Sequence, residues 1–229
     1  MPDVGEAMVT TLRRLGVKVT FNGAQTCCGQ VAFNTGYRPE ARAMAEHFIN
    51  VFETESADFI VAPSGSCTAM VRNFYNELFH GPDSAEWRER FARVQPRVRE
   101  FSEFIVNELG VDDVGARFPA RVTYHDACHL LRELHISDEP RRLIRAVTDV
   151  DFVEMDAPDT CCGFGGTFSV KYGEISNAIL EEKIARIAAS GVEYVIANDS
   201  SCLMQIAGGL SRARSPVKTM HLAELLAKQ

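Results

Sequence analysis

The sequence contains no apolar run approaching the roughly 18 residues of a membrane-spanning helix. Residues 1–6 also lack the basic segment followed by an apolar segment that marks a secretion signal. Basic residues are in the minority, 24 against 31 acidic residues, and the net charge of −7 argues against a general surface for nucleic acid or acidic membranes. We therefore expect a cytoplasmic protein without membrane insertion, whose cysteines serve metal binding or catalysis rather than disulfides.

Nucleotide-binding motifs are missing as well. Residues 163–166 read Gly-Phe-Gly-Gly, but they lack the Lys-Ser/Thr of a phosphate loop and the third glycine of a dinucleotide fingerprint. The chain therefore has no flavin or nicotinamide fingerprint with which to accept two electrons alone. It also has no Cys-x-x-Cys pair, the spacing typical of structural zinc sites.

What the sequence does contain is seven cysteines arranged in two similar sets. Cys-Cys-Gly occurs at residues 27–29 and again at 161–163, and each copy is followed by a long helical pattern, an apolar strand and another cysteine, Cys67 or Cys202. The second set follows the first by 134 positions at Cys-Cys-Gly and by 135 at the last cysteine. So constant an offset indicates an internal duplication.

The alternation of strands and helices predicts an α/β fold of two similar Rossmann-like units with mostly parallel sheets. We assign residues 1–110 to the first unit, 111–120 to a linker and 121–229 to the second. The counterpart of Cys128 would lie about six residues before Met1 by the repeat offset, with the counterpart of the strand at residues 121–124 further upstream. The first unit is therefore expected to be missing its N-terminal strand, as in a shortened chain.

The predicted strands are residues 17–21, 59–62, 121–124, 152–155 and 194–197, and residues 84–93, 97–109 and 221–228 are among the predicted helices. Cys67, Cys128 and Cys202 each directly follow a strand and open a helix. A helix N-terminus stabilises negative charge and thereby favours the thiolate that metals require.

Four thiolates from three loops can ligate a [4Fe-4S] cluster, one on each iron. Cys128, Cys161, Cys162 and Cys202 form such a set, and Gly163 permits the sharp turn that adjacent cysteines need to reach different irons. Zinc, redox-active thiols and ordinary core cysteines remain alternatives. The first unit offers only Cys27, Cys28 and Cys67, so a second cluster is expected only if the N-terminus is completed.

Three further side chains flank the cysteine that precedes the second Cys-Cys-Gly. His125, His129 and Arg132 are candidates for orienting thiolates, relaying a proton or binding a carboxylate substrate. The alternative is a structural role, with a helix cap and a surface histidine.

These motifs, together with His-Asp-Ala-Cys-His at 125–129 and Cys-Cys-Gly-Phe-Gly-Gly-Thr-Phe at 161–168, resemble the cysteine-rich CCG-domain family of iron–sulfur proteins over essentially the whole chain. Its members include subunits of heterodisulfide reductase, glycolate oxidase and anaerobic glycerol-3-phosphate dehydrogenase. The similarity is greatest to its lactate-utilisation members. In family members with a full pattern the last element is Cys-x-x-Cys, whereas Ser64 and Asp199 stand in place of its first cysteine here.

The resemblance implies an iron–sulfur redox subunit of a cytosolic complex that oxidises L-lactate to pyruvate and passes electrons through [4Fe-4S] clusters. Its implied partners are a ferredoxin-like iron–sulfur subunit and a third subunit, and it is expected to be active only with them. The alternatives are an iron–sulfur subunit for glycolate or glycerol-3-phosphate oxidation, or a non-catalytic scaffold holding zinc or a cluster. The substituted positions 64 and 199 favour a four-thiolate cubane over a five-thiolate noncubane cluster.

Overall fold

The computed structural model describes residues 2–229, and its backbone forms two parallel β-sheets surrounded by helices. The first half contributes β1 (Ile60–Ala62) and β2 (Val98–Glu100), which pair with each other. The second half contributes a sheet of order β4-β3-β5-β6, built from β3 (Arg121–Tyr124), β4 (Asp151–Phe152), β5 (Tyr194–Ala197) and β6 (Lys218–His221). All neighbouring strands are parallel, which confirms the predicted α/β class.

The helices of the first half precede and follow β1. They are α1 (Pro2–Arg14), α2 (Gln30–Thr35), α3 (Arg38–Phe52), α4 (Gly65–Ala69), α5 (Tyr75–Leu78), α6 (Ala85–Val94) and α7 (Phe101–Glu103). π-Helical segments, Met70–Phe74 and Phe104–Glu108, follow α4 and α7. α3 has a proline in its first turn, where backbone N–H groups have no intrahelical acceptor and the missing N–H of proline costs nothing. Ala41, Ala45 and Ile49 of this helix, at four-residue spacing, are fully buried.

The helices of the second half are α8 (Cys128–Leu134), α9 (Asp138–Arg145), α10 (Phe168–Lys171), α11 (Gly173–Ala189), α12 (Ser200–Arg212) and α13 (Leu222–Ala227). α11 buries Leu180, Ile184 and Ile187, again one face of a helix, against a core that also contains Cys162 and Cys202. Every helix in the described part of the chain is too short or too polar to cross a membrane.

The two halves share an apolar core. It joins Val4 and Leu12 of α1 with Ile105 of the first half and with Val122 and Ile196 of the second-half sheet. α1 packs along α13, where the Arg14 guanidinium donates to the carbonyls of residues 226 and 227. The segment 111–120, predicted as a linker, contributes the buried residues 114, 116 and 120 to the same core.

The two sheets end in the same local arrangement. Glu100 terminates β2, lies in register with Ala62 and forms a capping box with Glu103 at the start of α7. His221 terminates β6, lies in register with Ala197 and caps α13 through a capping box of its own. In each half the last strand therefore leads directly into a capped helix. The helix can begin at that residue because the capping side chain accepts hydrogen bonds from the first free backbone N–H groups.

The secondary structure differs from the sequence predictions at residues 17–21, at residues 97–109 and around residue 221. Residues 17–21 alternate as a strand should but have no strand partner among residues 2–229, so their backbone forms no ladder. Residues 97–109 are not continuously helical, because β2 occupies Val98–Glu100 and the helix starts only after the Glu100 cap. The last helix starts at residue 222 rather than 221, after β6, a strand that the sequence pattern did not indicate.

Candidate metal centre

The second-half cysteines lie on loops that follow neighbouring parallel strands. Cys128 begins α8 shortly after β3, Cys202 lies in the first turn of α12 after β5, and Cys161 and Cys162 lie between β4 and α10. Because β3 pairs with both β4 and β5, the carboxyl ends of these strands meet at one edge of the sheet. All seven cysteines of the chain are free thiols.

Both Cys-Cys-Gly motifs form the same turn. Gly163 has φ +83°, and its N–H donates to Cys161 Sγ at 3.3 Å. Gly29 has φ +84°, and its N–H donates to Cys27 Sγ at 3.4 Å. A left-handed backbone is readily adopted only by glycine, and it bends the chain sharply behind the two cysteines. The turn thus directs adjacent thiols while providing a backbone donor to the first of them.

The thiols of the second half interact with one another. Cys162 and Cys202 offer sulfur atoms within 4.8 Å of each other. Hydrogen bonding with Cys161 lowers the pKa of Cys162, but contact with Cys202 and burial together raise it to about 12. Contact with Cys162, then burial, raises the pKa of Cys161, and burial followed by the charge of Cys161 raises the pKa of Cys128. Such crowded thiolates are unfavourable without a cation, so the donor set fits a metal centre that releases protons on binding.

The first-half thiols form a second group, centred on Cys28. Hydrogen bonding with Cys28, assisted by the Gly29 N–H, lowers the pKa of Cys27 to about 5. A hydrogen bond between Cys67 and Cys28 likewise lowers the pKa of Cys67, whereas hydrogen bonds with Cys27 and Cys67 raise the pKa of Cys28 itself. The Tyr75 hydroxyl donates to the Cys28 carbonyl at 2.9 Å and fixes this turn to the core. The structure thus brings together the three cysteines of the predicted incomplete site.

The three flanking candidates lie in different environments. His125 is 1% exposed, and its ring lies within 4.8 Å of the sulfur atoms of Cys162 and Cys202. Burial and the Lys183 ammonium lower the pKa of His125 to about 3. His129 is partly exposed, with Nδ1 3.6 Å from Cys128 Sγ. Arg132 lies near enough to lower the pKa of Cys128. Only His125 is therefore enclosed among the thiols.

A carboxylate joins the two halves beside both cysteine groups. Asp199, 3% exposed, accepts hydrogen bonds from Ser64 Oγ and Ser66 Oγ, each at 2.6 Å, and from the Ser66 N–H at 3.2 Å. Its charge contributes to the raised pKa of Cys128 and opposes the lowering of the Cys67 pKa, so it lies near each group. Positions 64 and 199 are those at which the resemblance would place a further cysteine, and here the two side chains bond to each other. The sequence marked both positions but contained no sign that they touch.

Two buried charged residues also lie near the second group, and one of them, Lys183, was not among the candidates identified from the sequence. Lys183 donates to the carbonyls of Ala157 and Pro158 at 3.2 and 3.1 Å, and burial lowers its pKa to about 8. Asp126 forms a bidentate pair with Arg141 at 2.7 and 2.8 Å. The available signal was the position of Lys183 on the apolar face of α11. Both residues fix the loop that carries the second Cys-Cys-Gly, since the Asp126 N–H also donates to Pro158.

A family model described as a cysteine-rich domain, CCG, matches residues 1–72 and 122–207, more than half of the chain. The chain belongs to this family.

Curated relatives cover nearly its full length. It is 46% identical over 225 residues to "Lactate utilization protein A" of Exiguobacterium sp., which covers 98% of this chain and 91% of that protein. It is 43% identical over 224 residues to the protein of the same name from Geobacillus kaustophilus, covering 98% of this chain and 92% of that protein. It is 40% identical over 227 residues to "Lactate utilization protein A 2" of Bacillus cereus, covering 99% and 92%.

Proposed function

We propose that the protein is the iron–sulfur subunit of a cytoplasmic complex that oxidises L-lactate to pyruvate. The observation that carries this proposal is the placement of four free thiols after the neighbouring strands β3, β4 and β5, with the sulfur atoms of Cys162 and Cys202 within 4.8 Å of each other. The names of the relatives point to lactate utilisation. The partners would be a ferredoxin-like iron–sulfur subunit and a third subunit.

Cys128, Cys161, Cys162 and Cys202 would hold one [4Fe-4S] cluster, which when bound supplies one-electron transfer. Gly163 would let the backbone turn close to it. Cys27, Cys28 and Cys67 would hold a second cluster only with a further ligand. The protein's own contribution is to bury Cys28, Cys162 and Cys202 and to restrain Cys161 and Cys27 through the Gly163 and Gly29 N–H groups.

The two halves would be duplicated Rossmann-like units, 1–110 and 121–229, joined by 111–120. Three repeated features support this: the two Cys-Cys-Gly turns of nearly equal φ, the parallel strand pairs that end in capping boxes, and the family model matching each half once. The bond between Ser64 and Asp199, residues at corresponding repeat positions, is consistent with an interface between the halves near the repeat axis.

The ligand assignment is tested by counting iron and acid-labile sulfide in anaerobically purified protein. Cys161→Ala should lose about four iron and four sulfide per chain relative to the unmodified protein, the content of one cubane. Cys27→Ala, a cysteine from the first-half group, should retain that cluster. Unchanged iron in Cys161→Ala would refute the assignment. A colourless protein carrying only zinc would instead favour the non-catalytic scaffold.

The activity is tested by lactate-dependent dye reduction, with the chain alone and together with its partner subunits. Reduction should require the partners, because the chain has no fingerprint for a two-electron cofactor. Glycolate and glycerol-3-phosphate should be supplied in parallel with lactate. If glycolate or glycerol-3-phosphate is oxidised faster than lactate, that compound rather than lactate is the electron donor. Full activity of the chain alone would contradict a subunit role.

A further inference from the structure

The side chain of His125 has no hydrogen-bonding partner of its own. The backbone N–H of His125 donates to the Ile196 carbonyl at 2.8 Å, which continues the β3–β5 pairing by one residue and fixes the backbone. The imidazole is buried, yet neither Nδ1 nor Nε2 finds a hydrogen-bond partner anywhere in residues 2–229. The Pro158 carbonyl lies near enough to oppose the lowering of the His125 pKa, but it is outside hydrogen-bonding geometry. Fixed, buried and unsatisfied, this ring requires an explanation.

Leaving the ring in this state is costly. A buried polar group without a partner costs about 1–3 kcal/mol, and a neutral imidazole has both a donor and an acceptor to satisfy. Nearby charged groups are already engaged: the Asp126 carboxylate binds Arg141, and the Lys183 ammonium donates to two backbone carbonyls. An unmet buried group of this kind in a native site calls for a partner, either an ordered water or a bound ligand such as a metal ion.

The surroundings of the ring identify that ligand as a metal. A ring nitrogen of His125 and the sulfur atoms of Cys162 and Cys202 all lie within 4.8 Å of one another. An N–H···S hydrogen bond would also satisfy the ring, but no such bond is formed in the described chain. A shared metal therefore accounts for the arrangement better than a thiol acceptor.

We infer that His125 is a protein ligand of the second-half metal centre, which it shares with Cys162 and Cys202. The inference rests on the proposed function in that it takes this cysteine group to be a metal centre. The centre then has a mixed nitrogen–sulfur ligand set, in which the His125 imidazole takes the place of one of the four cysteine thiolates. A neutral imidazole brings less negative charge than a thiolate, so the reduction potential is higher than with cysteine ligands alone, as histidine ligation raises it in other iron–sulfur centres.

The test uses the full chain reconstituted anaerobically with ⁵⁷Fe and sulfide and labelled with [¹⁵N]histidine. Mössbauer spectra should reveal an iron site with a nitrogen ligand, and pulsed EPR of the reduced protein should detect a directly bound histidine nitrogen. His125→Gln should remove both signatures. His129→Gln is the matched control, because His129 also lies beside a cysteine of the group but outside the cluster of three donors. It should leave both signatures unchanged.

The outcomes separate this inference from the proposed function. Iron and sulfide bound with no histidine signal in the unmodified protein would overturn the ligand role of His125 and leave the cluster intact. That measurement needs no variant, so it stands even where His125→Gln fails to fold. Binding of zinc alone, with an imidazole detected by X-ray absorption at the zinc edge, would support His125 as ligand while overturning the iron–sulfur function. Absence of any bound metal would overturn both.

Discussion

Replacing Gly163 by alanine tests the idea that the Cys-Cys-Gly turn is fixed by close packing as well as by backbone conformation. A Cβ on Gly163 would clash with the Ser176 carbonyl oxygen, a backbone atom of α11 that has little freedom to move. The Gly163 carbonyl accepts a 2.7 Å hydrogen bond from the Ser176 hydroxyl, so moving the turn away would break that bond. The backbone at φ +83° adds strain for any residue with a side chain.

The magnitude follows from these two costs. Left-handed backbone costs a non-glycine residue about 1–2 kcal/mol, and overpacking a well-packed site costs about 1–3 kcal/mol. Gly163→Ala should therefore lower the free energy of unfolding by about 2–5 kcal/mol. For a chain of this size each kcal/mol corresponds to about 2–4 °C in melting temperature, so a fall on the order of 10 °C is expected.

The chain supplies its own controls. Gly166, in the same loop, has φ +64° and would have no atom within 4 Å of an added Cβ, so Gly166→Ala should show the backbone cost alone, about 1–2 kcal/mol. Gly29→Ala, with its nearest contact at 3.2 Å, should fall between the two. Urea and thermal unfolding of the reduced, metal-free proteins, followed by circular dichroism, measures all three. If Gly163→Ala and Gly166→Ala are equally stable, the packing argument is wrong.

Two further predictions concern buried carboxylates. Asp199→Ala should lower the free energy of unfolding by about 3 kcal/mol, because hydrogen bonds to a charged group are worth about 1.5–3 kcal/mol each and the remaining serines bond to each other in part. The control is Asp138→Ala, whose side chain is 72% exposed and which should change the free energy of unfolding in urea by less than about 0.5 kcal/mol. Equal effects of the two substitutions would contradict a stabilising role for the hydrogen bonds between Asp199 and the serines. Burial raises the pKa of Glu100 from 4.5 to about 7, so between these values the folded state keeps a proton that the unfolded state has lost. Stability should consequently fall as pH rises through this window, by about 3 kcal/mol in total, and Glu100→Gln should flatten the dependence of unfolding free energy on pH; parallel profiles for the two proteins would disprove it.

The errors in the predicted secondary structure have a common physical origin. Residues 17–21 carry an alternating pattern, but a strand exists only when another strand accepts its hydrogen bonds, and no local signal reports the partner. β2 and β6 are only three and four residues long, and their place beside β1 and β5 comes from pairing across a long chain separation. The long helices and the apolar strand β5 were predictable because the spacing of apolar residues within each segment indicates its secondary structure.

Local sequence also determined the elements of the metal centre. Cys-Cys-Gly contains its own turn, since Gly163 supplies the left-handed backbone and an N–H aimed at the preceding thiol. A strand followed by cysteine and a helical pattern was enough to locate Cys128 and Cys202 at strand ends. The turn and the strand–cysteine–helix order both depend only on residues close in the sequence. The cysteine spacing alone was therefore enough to indicate a metal site.

Tertiary structure alone decided which side chains surround those thiols. His125 enters the group of Cys162 and Cys202 because β3 and β5 are adjacent, and Asp199 reaches Ser64 because the halves pack against each other. The sequence singled out His125 among three flanking candidates without ranking it, and it marked positions 64 and 199 as substituted cysteines without indicating that they touch. Contacts between residues more than 30 positions apart depend on strand order and packing, which residue type and spacing do not encode. The sequence thus determined the donors and their turns, and the packing of the two halves determined their surroundings.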